Sequence, residues 1–339
     1  RLLPYLEREG ITYIVYNASG PTNLSNRVLS VASNSRSWFL RYLLTAREPV
    51  VYIMTNQWPV WAGSWILSRV RGKKVVLAFH GEAVTWALEN GSRLRRVAIE
   101  AGLRAADALV AVNTHISDVL AGIDGCAEKT HILPAFIPPA EGDDDERAIP
   151  EEIRRFANSH DPTLLAIGAP VLEQGIDLYG IDMTLDLVDT LRSDYPKIGV
   201  IWALLEFIGS RPEYAEKMRT EVQRRGLEDH WLFIPPQEIF YPLYGLADLF
   251  VRPTSSDGDA ISVRESLHFG LPLVASDAIP RPEGVTTFET RNAAAFERSV
   301  RATLQNLEAE KRRLAGLSGH CTVEEETALL RNLVEDSRP

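Results

Sequence analysis

Short apolar runs that alternate with helix-length segments are the feature that most constrains how this chain folds. The first series lies before residue 134 and comprises ITYIVY, VVYIM, VVLAF, ALVAV and HIL. The second series begins after residue 152 and comprises TLLAIG, IGVIWALL, WLFI, DLFVR, PLVAS and VTTF. Such alternation is typical of βαβ units that build parallel sheets. The sequence therefore predicts an α/β protein with two doubly wound, Rossmann-like domains.

A segment rich in proline and acidic residues separates the two series. Residues 134–152 read PAFIPPAEGDDDERAIPEE, and neither prolines nor a run of acids suits a sheet interior. We therefore predict an N-terminal domain over residues 1–140 and a C-terminal domain over residues 141–318. Residues 319–339 are predicted to form a C-terminal helix that is able to pack back on either domain, the N-terminal one included.

The chain opens on a helical pattern that leads into a strand, RLLPYLEREGITYIVYN. A doubly wound domain normally opens on a strand whose following turn contributes to the ligand crevice. We therefore expect the first strand of the N-terminal domain and its loop to be missing from this sequence; a domain that begins on a helix is the alternative.

Composition excludes several classes of protein. No run of about 18 apolar residues is present, which argues against a membrane-spanning helix, and no secretory leader is predicted. The two cysteines, Cys126 and Cys321, lie far apart and indicate neither a disulfide framework nor a structural zinc site. We predict a cytoplasmic protein.

Charge is distributed unevenly along the chain. Residues 1–140 hold 15 Lys and Arg against 10 Asp and Glu, a charge of +5, whereas the remainder carries −15. Five of the seven tryptophans also lie in this basic part. Cations interleaved with indoles suit an anionic membrane surface or a phosphorylated acceptor. We expect peripheral contact with the inner face of a membrane and no nucleic-acid partner; ordinary core tryptophans are the alternative.

Ligands of open parallel sheets bind at the carboxyl ends of the strands, so residues that follow each apolar run are candidates for the site. His80, Gly81 and Glu82 follow VVLAF. Gly81 permits a close backbone approach, and the imidazole of His80 is able to meet a sugar hydroxyl or a phosphate. A structural histidine is the alternative.

The segment DGDAISVRE, residues 257–265, follows the strand DLFVR. Asp259 or a neighbour is predicted to cap a helix that runs to about Phe269. The amides at its start, near Ala260, Ile261 and Ser262, suit a diphosphate. Asp257 precedes them and Glu265 lies about 8 Å along the axis, so the two carboxylates flank the anion site. One acid would hold a transferred sugar and the other a ribose.

A longer stretch around this segment carries a family resemblance. FVRPTSSDGDAISVRESLHFGLPLVASDAIPRPEGV resembles the signature of the retaining glycosyltransferases of family 4, which are two-domain GT-B enzymes. LYGIDMTLDLVDTLRSDYPKIGVIW is similar to the family's Lys-Gly-Ile-Asp segment, and RAADALVAVNTHISDVL to its last N-domain strand and helix. The resemblance implies a nucleoside-diphosphate sugar donor, a glycan or lipid-linked acceptor and an active site in the cleft between two domains. Such an enzyme would serve polysaccharide or glycoconjugate biosynthesis.

The resemblance also implies roles for individual residues. Glu265 would bind the ribose, and Asp257 takes the place of the family's first Glu, which contacts the donor sugar. The backbone at Gly258, Asp259 and Ala260 would line the diphosphate, and His80 would lie near the donor sugar. No metal and no cofactor is expected. Since Asp257 is one methylene shorter than the family's Glu, Asp257→Glu is expected to preserve or raise transfer.

One departure from the family concerns the charge that balances the diphosphate. The family supplies an Arg and a Lys after the strand that corresponds to TLLAIG, whereas this chain has Ala169 and then Gln174 or Tyr179. A buried diphosphate needs cationic partners. We therefore assign Arg252 and Arg281 as substitutes.

Four alternatives stay open at this point. Arg264 is a further cationic candidate, although its place on the helix favours a solvated side chain. The triplet DGD would suit a metal, but it comes late in the chain and runs directly into a helix. The protein could also be a non-catalytic homologue that binds a nucleotide-sugar or glycan, or a GT-B sugar-nucleotide 2-epimerase.

Overall fold

The computed structural model describes residues 2–13, 15–17, 28–30, 35–134, 136–139, 149–205, 210–236, 240–315, 317 and 322–337. The chain divides into two units. Unit 1 contains residues 1–137 together with 321–339, and unit 2 contains residues 138–320.

Unit 1 is built around a parallel sheet. The strands of unit 1 are β1 (Val15–Asn17), β2 (Val28–Ser30), β3 (Val50–Met54), β4 (Lys74–Phe79), β5 (Ala108–Ala111) and β6 (Thr130–Ile132). Its helices are α1 (Leu2–Arg8), α2 (Ser35–Thr45), α3 (Trp58–Trp65), α4 (Ala83–Glu89), α5 (Arg93–Ala105), α6 (Thr114–Ala121) and α13 (Val323–Glu335). Strands β3 to β6 pair in chain order, and β1 pairs with β2. Strand β4 is buried from Val75 to Phe79, as expected for a sheet covered on both faces.

Close packing of helices α3 and α5 covers one part of this sheet. A Cβ atom at Gly102 of α5 would lie only 1.9 Å from the carbonyl oxygen of Trp61 in α3, so only glycine permits this approach. Helix α13 packs within the same unit, where Leu330 joins an apolar cluster with Leu6. The Tyr52 hydroxyl of β3 donates to Glu326 of α13 at 2.7 Å.

Unit 2 contains a larger parallel sheet. The strands of unit 2 are β7 (Thr163–Gly168), β8 (Leu172–Glu173), β9 (Ile176–Asp177), β10 (Gly199–Leu204), β11 (Trp231–Ile234), β12 (Leu249–Arg252), β13 (Leu273–Ser276) and β14 (Thr286–Phe288). Its helices are α7 (Glu151–Ser159), α8 (Ile181–Leu191), α9 (Pro212–Arg224), α10 (Ile261–His268), α11 (Ala293–Gln305) and α12 (Leu307–Ala315). Strands β8 and β9 form a small hairpin.

The strand order of the large sheet determines where its crevice lies. The order is β11-β10-β7-β12-β13-β14, with every pair parallel. Counted from β7, this is the doubly wound order 3-2-1-4-5-6. The order reverses between β7 and β12, so the loops that follow these two strands flank the topological switch point, where such sheets bind ligands.

The predicted fold class is confirmed, because each unit carries a parallel sheet of the Rossmann-like kind. The runs predicted as strands from VVYIM onward all occur as strands, whereas ITYIVY contributes Val15 and Tyr16 to β1, and its Ile14 lies outside the described residues. Among the residues that the structure describes, no helix combines the length and the apolar content needed to cross a membrane.

Candidate functional site

The loops after β7 and β12 are packed directly against each other at the switch point. The Ser255 amide donates to the carbonyl of Leu178 at 2.9 Å. Gly180 has a φ of +76°, and a Cβ atom there would lie 2.3 Å from the Pro253 carbonyl oxygen. The loop after β7 therefore supports the loop that begins at Pro253.

Two arginines converge on the carboxylate of Asp257 in this loop. Arg252, the last residue of β12, donates from Nε to Oδ2 at 2.8 Å and from Nη2 to Oδ1 at 3.0 Å. Arg281 reaches Oδ2 from Nη1 at 2.9 Å. The side chain of Asp257 is 8% exposed, that of Arg252 9% and that of Arg281 2%. We call these three residues the Arg-Asp-Arg cluster.

Charge within the Arg-Asp-Arg cluster determines how Asp257 titrates. Burial favours the neutral carboxyl, but the charge and hydrogen bonds of Arg252, followed by those of Arg281, outweigh burial and hold the Asp257 pKa well below its usual range. Burial lowers the pKa of Arg281. The cluster is thus two guanidinium cations and one carboxylate, with a net charge of +1.

The sequence assigned Arg252 and Arg281 to a diphosphate, and the structure shows what they contact in the protein. Arg281 also donates to the carbonyl of Ser276 at 2.8 Å and to the hydroxyl of Thr254 at 3.3 Å. Nη1 of Arg252 lies 3.4 Å from the carbonyl oxygen of Ile167 in β7, so this side chain crosses the switch point. Both arginines therefore lie beneath the loop surface.

Helix α10 begins at this loop, but no side chain caps it. The cap was predicted at Asp259 or a neighbour, and it is the neighbour Ala260 that occupies the N-cap position, without a side-chain hydrogen bond. Both oxygens of Asp259 instead accept from Nε of Arg264 at 2.8 Å. The expectation of a solvated Arg264 is also wrong, since its side chain is 14% exposed in this pair. The amides of Val263 and Arg264 donate to the carbonyl of Ala260, so the amides of Ile261 and Ser262 lie at the positive end of the helix.

Glu265 is buried on α10 despite its charge. Its Oε2 accepts from the hydroxyl of Tyr244 at 3.1 Å, and the same hydroxyl lies 3.0 Å from the carbonyl oxygen of Ser262. Tyr244 belongs to a 3₁₀ helix, residues 241–246, that precedes β12. The tyrosine therefore joins the first turn of α10 to the carboxylate that the sequence assigned to the ribose.

Sequence reasoning missed a third buried acid, Asp177, which shapes the β7 loop. Asp177 accepts from the amides of Tyr179, Gly180 and Asp182 and from the hydroxyl of Tyr214 at 2.8 Å. Burial raises its pKa, although these hydrogen bonds act in the opposite direction. The sequence feature that could have revealed Asp177 is its position three residues before Gly180, the N-cap residue of α8. This spacing suits a loop whose backbone amides donate to one carboxylate.

The positions that replace the family's Arg and Lys offer no cation. Ala169 is buried, and Gln174 lies exposed at the tip of the β8–β9 hairpin with a φ of +51°. The ring of Tyr179 faces the guanidinium of Arg252, whose Cζ atom lies 5.5 Å from the ring centroid. Of the substitutes that the sequence proposed, Arg252 is thus the one in contact with the β7 loop.

His80 lies in unit 1, at the carboxyl end of β4, and is exposed. No atom lies within 4 Å of a Cβ built on Gly81. Glu82 pairs with His115 of α6 at 3.3 Å. Within the described ranges, no group of three or more His, Cys, Asp or Glu side chains is arranged to hold a metal ion.

The two parallel sheets have the GT-B fold of solved glycosyltransferases. A glycosyltransferase from Rickettsia africae ESF-5 matches with a TM-score of 0.71 and 14% identity, over 99% of this chain and 93% of that one. HepE from Anabaena in complex with UDP-glucose matches with a TM-score of 0.67 and 15% identity, over 97% and 88%. WaaG, a glycosyltransferase involved in lipopolysaccharide biosynthesis, matches with a TM-score of 0.68 and 16% identity, over 96% and 93%.

The family match falls on unit 2. Residues 162–306 match the family model described as Glycosyl transferases group 1, which confirms the predicted resemblance over the segment that carries the switch point. None of the curated proteins compared with the chain matches it in sequence.

Proposed function

We propose that this protein is a retaining glycosyltransferase that moves a sugar from a nucleoside-diphosphate sugar to a glycan or lipid-linked acceptor. The observation that carries the proposal is the pair of buried carboxylates, Asp257 and Glu265, on either side of the start of α10. They lie at the switch point of the sheet, within the segment that matches the group 1 family model. A role in polysaccharide or glycoconjugate biosynthesis accords with such an acceptor.

The donor would lie across the start of α10. The amides of Ile261 and Ser262 and the helix dipole favour the diphosphate, and Glu265 accepts from the ribose hydroxyls. In the transfer step the bond between the anomeric carbon and the phosphate oxygen breaks, and a bond to the acceptor oxygen forms. The nucleoside diphosphate leaves with the electron pair and takes up the proton of the acceptor hydroxyl on its released phosphate oxygen, and the helix start stabilises the charge that develops on it. His80 is assigned to the donor sugar.

Metal independence belongs to the same proposal. The two guanidinium groups beside Asp257 leave the cluster with a net positive charge, which repels a divalent cation and favours an anion. Transfer or donor hydrolysis is therefore expected to be unchanged after treatment with EDTA. Activity that disappears with EDTA and returns with Mg²⁺ or Mn²⁺ would contradict this part.

The experiment is a screen for release of nucleoside diphosphate from a panel of nucleotide-sugars, with and without candidate acceptors. Release that is abolished in Glu265→Gln and retained in Glu213→Gln supports the proposal, since Glu213 is an exposed acid on α9. NMR of the product tests whether the anomeric configuration is retained. Tight donor binding without release under any acceptor identifies a non-catalytic homologue, and an isomerised donor identifies an epimerase.

The acceptor side of the proposal includes peripheral contact with an anionic membrane at the cytoplasmic face. On unit 1, Trp86, Leu94 and Val97 are 58%, 84% and 55% exposed. Arg93 and Arg96 on the same helix, α5, are exposed beside them. We call these five residues the α4–α5 surface. Apolar side chains enter the acyl boundary while arginines meet anionic headgroups, so its chemistry matches an anionic bilayer.

Sedimentation with vesicles tests this contact. Burying Leu94 contributes about 2 kcal/mol, and each arginine near the surface about 1 kcal/mol. Leu94→Ser combined with Val97→Ser is expected to reduce binding to vesicles containing phosphatidylglycerol by roughly tenfold or more. Ile176→Ser is the control, because Ile176 is 46% exposed but lies in unit 2. Equal binding to neutral vesicles would refute the contact.

A further inference from the structure

The acceptor capacity of Asp257 is already used within the protein. Its Oδ1 accepts from Nη2 of Arg252 at 3.0 Å and from the Gly258 amide at 3.1 Å. Its Oδ2 accepts from Nε of Arg252 at 2.8 Å, from Nη1 of Arg281 at 2.9 Å, and from the Thr254 hydroxyl at 3.4 Å. A carboxylate has about four lone-pair positions, and five donors surround this one. A sugar hydroxyl would have to displace a charge-assisted hydrogen bond.

The arginines, in turn, depend on Asp257. Two guanidinium groups that donate to the same oxygen, Oδ2, repel each other, and the charge of the carboxylate compensates this repulsion. Arg281 reaches the cluster from the loop after β13, 24 residues along the chain from Asp257. The carboxylate therefore ties the loops after β12 and β13 together beneath the start of α10.

We propose that Asp257 is a positioning residue, which holds Arg252 and Arg281 beneath the nucleotide-binding loop instead of contacting the donor sugar. The inference rests on the proposed function. The cluster supplies a net charge of +1 next to the helix start, since Nη1 of Arg252 lies 3.4 Å from the Ser262 hydroxyl, whereas the helix start supplies only about half a charge. The loop after β7 has no cation at Ala169 or Gln174. The positive charge that balances the diphosphate would therefore come from the Arg-Asp-Arg cluster, which acts across the loop after β12.

Binding of a nucleoside diphosphate without a sugar separates the two roles. UDP, GDP and ADP are first screened by calorimetry, and the tightest binder is compared with its glucose conjugate. If Asp257 positions the arginines, Asp257→Asn weakens both ligands by the same factor, about tenfold to a hundredfold, and the ratio of their Kd values is unchanged. Asp257→Glu does not restore binding, because the longer side chain no longer fits between the guanidinium groups.

A sugar contact gives the opposite result. In that case Asp257→Asn weakens only the glucose conjugate, Asp257→Glu preserves its binding, and the inference is overturned. A double-mutant cycle of Asp257→Asn with Arg281→Met adds a second criterion. The double variant is expected to bind the nucleotide no more weakly than whichever single variant binds it more weakly. Additive losses of affinity would contradict a joint role.

Two further measurements keep the inference testable if Asp257→Asn unfolds. Ser276→Ala removes a hydroxyl that lies 3.3 Å from Nη2 of Arg281 and donates to the Thr254 carbonyl at 2.7 Å, and it is expected to weaken both ligands equally by about twofold to fivefold. Unchanged binding of both ligands in a folded Ser276→Ala overturns the inference. A wild-type protein that binds none of the nucleotides overturns the proposed function as well, whereas a loss confined to the conjugate overturns only the role of Asp257.

Discussion

Replacing Gly180 by alanine tests whether the loop after β7 supports the loop that carries Asp257. Gly180 precedes α8 with a φ of +76°, and a Cβ there would lie 2.3 Å from the carbonyl oxygen of Pro253. The atom it meets belongs to the backbone, so no rotamer change relieves the contact. Either α8 or the segment after β12 must shift by roughly 1 Å to reach an ordinary carbon–oxygen separation.

The magnitude has three parts. A left-handed conformation costs a residue with a Cβ about 1 to 2 kcal/mol, and overpacking costs about 1 to 3 kcal/mol more. Alanine restricts the unfolded chain, which offsets about 0.4 to 1 kcal/mol. Gly180→Ala should therefore lower the free energy of unfolding by about 2 to 4 kcal/mol. A displaced Pro253 should also weaken nucleotide binding, since a shift of this size misplaces Asp257.

Urea denaturation provides the assay and Gly226→Ala the matched control. Gly226 has a φ of +62°, but no atom lies within 4 Å of a Cβ built on it. Gly226→Ala therefore has only the cost of the left-handed backbone conformation. It should lower the free energy of unfolding by about 1 kcal/mol once the restriction of the unfolded chain is subtracted. The difference between the two variants isolates the contact with Pro253. Equal destabilisation in both would refute the claim that the two loops support each other.

Two other predictions concern titration and helix packing. The pKa of Asp177, measured by NMR, should lie above its usual value and rise further in Tyr214→Phe, because the tyrosine hydrogen bond lowers it; an unchanged pKa in the variant would contradict this. Since the folded-state pKa is raised, the stabilising contribution of this carboxyl is complete below its unfolded-state pKa and is lost as pH rises through the folded-state value. Gly102→Ala should cost about 3 kcal/mol or more, because its Cβ would lie 1.9 Å from the Trp61 carbonyl oxygen. In Gly122→Ala the nearest atom is 3.4 Å away, so thermal denaturation should show a change within about 1 kcal/mol.

Strand positions could be predicted from the sequence because each depends on a local pattern. Runs such as TLLAIG and PLVAS became strands β7 and β13, since an apolar run of this length is buried on both faces of a parallel sheet. The start of α10 was predicted for the same reason, as a turn followed by a helical pattern. The side-chain interactions around it were not, because Asp259 pairs with Arg264 instead of capping the helix.

The partners of the buried acids depend on which strands are neighbours. The sheet places β7 beside β12 and β12 beside β13, although β10 and β11 separate β7 from β12 along the chain. Only this order brings Arg281 to Asp257. No local period in the sequence encodes strand order, so the sequence assigned both residues to the site without relating them to each other.

Helix α13 shows the same division between local pattern and tertiary contact. A helix within residues 319–339 could be predicted from the sequence, but its place could not. The hydrogen bond from Tyr52 to Glu326 joins residues 274 positions apart, and it fixes the helix on unit 1. The sequence by itself determined most of the strands, the family resemblance and the candidate acids Asp257 and Glu265. The tertiary structure alone decided which charges meet, because the energy of a buried charge depends on neighbours that are distant along the chain.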